Sequence, residues 1–289
     1  MTPPLTLSVN NFRCDIAPDL GGCIAGLWFD GIPVLRSPGA DGLKSARESG
    51  SYPLVPFSNR IAQATLKWNG TSHPLIQNNG TEPHAIHGVG WQRAWQVLDA
   101  SDQFALLSYA HKADASWPFA FDTSQAFRLA GHELELTLSI TNQSATATPA
   151  GLGWHPYFVK RASSHIAFDA TGRWEMDALK LPTHRTTSPG LNTDCAALDV
   201  DHCFDGWNGE LHLRDEALHT RISSSKLSRL VVFTNPSKDF VAIEPVSHVN
   251  NAVNLLAFNV ASAAELGVHV LQPGESLSCE MTIQVEAVK

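Results

Sequence analysis

Glu244 lies in FVAIEPVSH, where Val241, Ala242 and Ile243 precede it and Pro245 and Val246 follow, a run that would be a buried strand without the carboxylate. An ionised carboxylate in such a setting is costly unless something binds it. Glu244 is therefore either a general base shielded from water or half of a structural ion pair with an arginine such as Arg60. His155, in GWHPYF between Trp154 and Pro156, has neighbours that suit an imidazole acting as a proton donor near neutral pH. The competing reading is a half-buried histidine bonded to a backbone carbonyl. Together, a carboxylate and an imidazole can remove one proton while delivering another, which is general acid–base chemistry.

Four further places carry polar residues that break the surrounding apolar pattern. Arg60, which follows Asn59 in PFSNRI, is a planar cation suited to gripping a hydroxyl or ring oxygen, or to holding Glu244. HAIHG sets His84 and His87 three apart, with Gly88 and Gly90 allowing close approach of backbone or ligand. Zinc needs three or four ligands of matched geometry, and neither H-E-x-x-H nor a tight His-x-His with a carboxylate is present. No metal is expected, activity should resist chelation, and one of the two histidines should face a cleft. Asp201, in DVDHCF, can accept two hydrogen bonds from a vicinal diol or cap a turn, a role equally open to Asp199 and Asp205. Trp91, Trp95, Trp154 and Trp207 recur near these places, where flat aromatic faces could stack on a pyranose; of the eight tryptophans most are expected in the core and one or two lining a pocket.

The elements that must position these residues are strands. Leu134, Leu136, Leu138 and Ile140 alternate with Glu135, Thr137 and Ser139, and Leu277, Cys279, Met281, Ile283 and Val285 repeat the pattern near the C-terminus. Asp30-Gly31 and Asn69-Gly70 suit tight hairpin turns. WQVLDA, FALLSYAH, RLVVFT and FVAIEP are short apolar runs bounded by turn residues, and NAVNLLAFNVASAAELG is the one stretch suited to a helix of any length. No blade repeat argues for a propeller. No linker or composition shift divides the chain, so 1–289 is expected to form a single all-β domain, a large antiparallel β-sandwich with few short helices.

Twenty basic against 28 acidic residues give a formal charge of -8, a field that repels a phosphate backbone, so nucleic acid is not an expected partner. MTPPLTLSVNNFRCD has no basic n-region or apolar h-region, and no apolar stretch approaches the ~20 residues of a membrane helix. The five cysteines Cys14, Cys23, Cys195, Cys203 and Cys279 lack C-x-x-C spacing and read as reduced core residues in a cytoplasmic protein without a membrane partner.

In order, PLVPFSNRI, HAIHGVGWQRAW, GLGWHPYF, DHCF and AIEPVSH resemble the aldose 1-epimerase family, best known for its galactose mutarotases. The resemblance runs from about residue 50 to about residue 255. It implies a galactose mutarotase-like sandwich with an open cleft, a small sugar as substrate, a monomer or homodimer, and no metal or organic cofactor. Glu244 would be the base that takes the anomeric hydroxyl proton, and His155 the acid that protonates the ring oxygen. His87 would contact the ring oxygen or anomeric region, Arg60 with Asn59 would bind sugar, and Asp201 would hold hydroxyls. HGVG and Val159 stand where galactose mutarotases carry H-G-G and an Asn, which places the chain closer to a bacterial branch marked by PFSNRI and GWQRxW.

Two other functions fit parts of the pattern. A carbohydrate-binding sandwich without turnover would share the scaffold and aromatic faces, but binding alone needs no acid and base. An epimerase of a hexose 6-phosphate or other modified sugar would need an Arg or Lys cluster. The motif segments offer Arg60 and Arg93, with Arg36, Lys44 and Arg47 nearby in SPGADGLKSARESG. Neutral aldoses are accordingly expected to be preferred over their 6-phosphates.

Overall fold

The computed structural model describes residues 3–288; Met1, Thr2 and Lys289, which the expected 1–289 unit includes, lie outside the described residues. Strand-forming alternation dominates. In Glu133–Asn142 the four apolar residues from Leu134 to Ile140 are buried, with more exposed polar residues between them. This strand pairs antiparallel with Phe121–Ala130 on one side and with Ser276–Ala287 on the other. Both belong to a nine-stranded sheet that runs from Gln96–Ala100 at one edge to Gly190–Asp194 at the other.

An eight-stranded sheet packs across the core and carries Val200–Asp205, Arg229–Thr234 and Phe240–Val246 as adjacent antiparallel strands. Leu230, Val232, Val241 and Ile243 face the main core together with Leu134, Leu136 and Leu138 of the other sheet. Val231, Phe240, Ala242 and Val246 belong to a second apolar cluster on the opposite face. Because side chains alternate along a strand, Glu244 projects to that second face with Ala242 and Val246. The all-β sandwich is therefore as expected, and its eight-stranded sheet buries apolar side chains on both faces.

Both expected hairpin turns form. Asp30 and Gly31 have φ of 52° and 74°, and Asn69 and Gly70 have 47° and 74°, the left-handed pair that a two-residue hairpin with native twist needs. The stretch suited to a helix divides into Ala252–Ala257 and Ala263–Leu266. Asn259 at φ 56° interrupts it, and the second piece starts on a Ser262–Glu265 capping box and stops at Gly267. All five cysteines are free and buried. Among the described residues no helix is long and apolar enough to cross a membrane.

Candidate active site

A cleft of about 160 Å³ opens on the second face of the eight-stranded sheet, and Glu244, His155, His87, Arg60, Asn59 and Asp201 all line it. Register brings the sheet-borne members together, since Val231 pairs with Glu244 and Phe233 with both Ala242 and Asp201. His155 arrives from the turn between Gly153–Trp154 and Tyr157–Val159. Its backbone N–H donates to Tyr52 C=O at 3.0 Å, which joins that turn to the segment carrying PLVPFSNRI.

His155 Nε2 lies 3.2 Å from Glu244 Oε1, and the two residues are 7% and 2% exposed. The imidazole is stacked on Tyr52 at 4.9 Å and packs against Tyr157 at 4.4 Å, with His87 edge-on at 5.1 Å. Burial pushes the Glu244 carboxyl well above its ordinary range; the Asp201 carboxylate adds to this and Arg60 opposes it. Burial also lowers His155 to about 3, with Arg36 and Arg47 acting in the same direction. Each partner keeps one buried polar atom without a hydrogen bond, Nδ1 on the histidine and Oε2 on the carboxylate. The pair is thus unsaturated toward a ligand.

His87 has a defined tautomer. The backbone N–H of Asn59 donates to its Nδ1 at 3.1 Å, and a backbone amide can only donate, so the proton is on Nε2. Burial holds His87 well below its usual value, aided by the nearby His155. A neutral Nε2–H donor is therefore available to the cleft. His87 itself has φ 60°, and at Gly88 a Cβ would come within 2.2 Å of Val55 C=O. Close backbone approach is the reason for that glycine.

Arg60 departs from the ion-pair alternative for Glu244. Its Nε and Nη2 donate to Glu82 Oε2 and Oε1, both at 3.0 Å, and Nη1 donates to Asn59 Oδ1 at 3.3 Å. The fork geometry favours a carboxylate that can be met bidentately, so Arg60 acts on Glu244 only through space. Asp201 pairs with Lys180 at 3.1 Å. Asp205 instead accepts from Arg185 and Trp174 Nε1, away from the cleft. His84 is structural, because Gln63 N–H donates to its Nδ1 and its Nε2 faces Leu179 C=O, at 3.1 Å in both cases. With both nitrogens engaged it has no lone pair to offer a metal. Among the described residues no group of three or more His, Cys, Asp or Glu side chains is arranged to hold one.

Most of the tryptophans are core, as expected, and among the described residues none lines this cleft. Trp95, Trp154 and Trp207 are buried, with indole N–H groups donating to Gly90 C=O, Gln125 Oε1 and Glu210 C=O. Trp91 lies behind Tyr52 at 5.6 Å. Tyr52, Tyr157 and Phe233 supply the cleft's aromatic walls. Both tyrosines stand beside motif residues, in SYPLVPF and WHPYF, which was the available signal. Arg47 and Asn79 also line the cleft and come from outside the motif segments.

The sandwich thus aims a buried carboxylate–imidazole pair into a polar, tyrosine-walled cleft. The aldose 1-epimerase family model matches residues 4–284, and the chain belongs to that family. YphB of Escherichia coli K12 is 31% identical over 97% of this chain and 98% of its own length. A crystal structure from Escherichia coli K12 superposes with a TM-score of 0.88 at 29% identity, covering 99% of each chain. A galactose mutarotase-like protein from Clostridium acetobutylicum superposes with a TM-score of 0.85 at 20% identity, covering 99% of this chain and 95% of that one.

Proposed function

We propose that the protein is an aldose 1-epimerase that interconverts the α and β anomers of a free aldose. The observation that carries this reading is the 3.2 Å contact between His155 Nε2 and Glu244 Oε1, buried in one cleft. Ring opening removes the proton from the anomeric hydroxyl, breaks the bond from the anomeric carbon to the ring oxygen, and adds a proton to that oxygen. Glu244 as base and His155 as acid supply these two transfers from the arrangement in which the one proton they share sits on the imidazole. Rotation of the aldehyde and closure with the roles reversed gives the other anomer, so protons balance over the cycle. The two oxygens share one carbon, and adjacent acid and base groups match that spacing. The His87 Nε2–H supports charge on the departing oxygen.

Arg60, positioned by Glu82 and Asn59, and Asp201, beside Lys180, would orient hydroxyls. The test is saturation-transfer NMR on purified protein with a panel of reducing sugars. Exchange between anomer signals above the uncatalysed rate supports the reading. Sugar binding without exchange would instead make this a carbohydrate-binding sandwich.

A further inference from the structure

The cleft's cations differ in how their charge is used. Arg60 is held bidentately by Glu82, and Lys180 by Asp201. Arg93, the second basic residue of the motif segments, pairs with Asp114 at 3.4 Å and does not line the cleft. Arg47 does line it, beside His155, Tyr52 and Tyr157. Among the described residues it forms no ion pair. Its Nη1 donates to Asn79 Oδ1, its guanidinium lies 4.9 Å over the Trp91 ring, and its Nε is buried without a partner.

This arginine is held in place. Arg36 donates to the backbone carbonyls of Arg47 and Ser49, the latter at 3.0 and 2.8 Å, while its own guanidinium packs 3.9 Å over Tyr157. The short turn Ala46–Glu48 is thereby clamped to the same tyrosine that backs His155. A half-buried guanidinium without a counter-charge carries a desolvation cost that an arriving anion offsets. A planar fork matches one acid group, and the one cleft arginine without a carboxylate partner among the described residues offers a single positive charge to balance it.

We infer that the substrate is an aldose carrying one singly charged acid group, such as a hexuronate carboxylate or a sugar sulfate, and that Arg47 is the residue that reads that group. The inference rests on the epimerase reading above and names its substrate class. It agrees with the sequence expectation that 6-phosphates are poor substrates and departs from the expectation that neutral aldoses are the best ones.

The experiment compares kcat/KM for anomer exchange of glucuronate and galacturonate with that of glucose, galactose, glucose 6-sulfate and glucose 6-phosphate, in wild type, Arg47→Met and Arg47→Lys. Circular dichroism and Tm confirm that each variant is folded. Wild type should prefer the singly charged sugars by about 10-fold or more at low ionic strength, the ratio should shrink with salt, and Arg47→Met should abolish it while Arg47→Lys keeps part. Preference for neutral sugars, preference for the 6-phosphate, or an undiminished ratio in Arg47→Met would each overturn the inference. The uronate and sulfate arms separate a planar from a tetrahedral acid. Quenching of tryptophan fluorescence by glucuronate against glucose gives an independent readout through Trp91. If no sugar exchanges, the epimerase reading fails, and the inference is then decided by whether glucuronate binds more tightly than glucose and loses that advantage in Arg47→Met.

Discussion

Removing one proton while delivering another requires a base and an acid that hold one proton between them. Glu244 and His155 meet that count wherever the shared proton resides, because they are in contact and each is perturbed toward its neutral form. Glu244→Gln and His155→Ala are each expected to lower kcat at least about 10²-fold with the fold intact. Saturation-transfer rates within a few-fold of wild type, with sugar still bound, would reject the roles. Coupling also sets the pH profile. Independent groups at ordinary values, about 4.3 and 6.5, would leave a plateau about two units wide. In the pair, the second proton is held off down to about 3, and loss of the single proton is delayed by the raised carboxyl. The kcat/KM profile should therefore have a plateau wider than two units, with both limbs belonging to the pair rather than one to each residue. A narrow bell between 4.3 and 6.5 would show that the groups titrate separately. The residues of the pair were legible in the sequence because each interrupts an apolar run. Arg47 was legible only as one of three basic residues near the motifs, because nothing in SARESG distinguishes a cleft arginine from a solvated one.

At the scale of elements, the cleft depends on a segment with little regular structure, residues 55–60, which carries Asn59 and Arg60. His248 pins it. Ser58 N–H donates to His248 Nε2 at 3.1 Å, and His248 Nδ1–H donates to Val249 C=O at 2.7 Å. Asn251 adds a second tie, with its N–H donating to Arg60 C=O and its Oδ1 accepting from Ala62 N–H. His248→Ala leaves the Ser58 amide buried and unpaired and should cost about 1–3 kcal/mol. It should also raise KM more than it lowers kcat, because it loosens the sugar-binding wall and leaves the Glu244–His155 pair in place. Urea unfolding and steady-state kinetics measure the two effects; an unchanged KM would show that the segment holds its shape without the imidazole. Hairpins and alternating strands were readable because their signals are local. The pairing of Glu133–Asn142 with Ser276–Ala287 was not, because contacts closed over such long loops leave no periodic mark.

For the whole molecule, buried neutral histidines set the response to acid. His155 and His248 are lowered to about 3 and about 4, and His87 is also held well down, in each case chiefly by burial. The unfolded chain protonates all three near 6.5. Each histidine therefore contributes stability that is present above that value and is lost as pH falls toward its folded value. Glu244 acts oppositely: its raised carboxyl keeps a proton that the unfolded chain releases above about 4.3, a cost that grows as pH rises. Below about 6.5 the unfolded chain takes up histidine protons that the folded chain does not. Each such proton is worth about 1.4 kcal/mol per pH unit, and three histidines act against one carboxyl. His269 is lowered and adds to this trend; His165 is raised by Asp194 and subtracts from it. Stability should accordingly fall as pH drops from about 6.5 toward 5, with the raised carboxyl opposing part of that loss. Calorimetric Tm values at pH 5, 6, 7 and 8 test this, with His248→Asn expected to flatten the acid side. A Tm that is level between pH 7 and 5 would mean that these imidazoles are protonated in the folded protein, and the hydrogen bond from Ser58 N–H to His248 could not then exist.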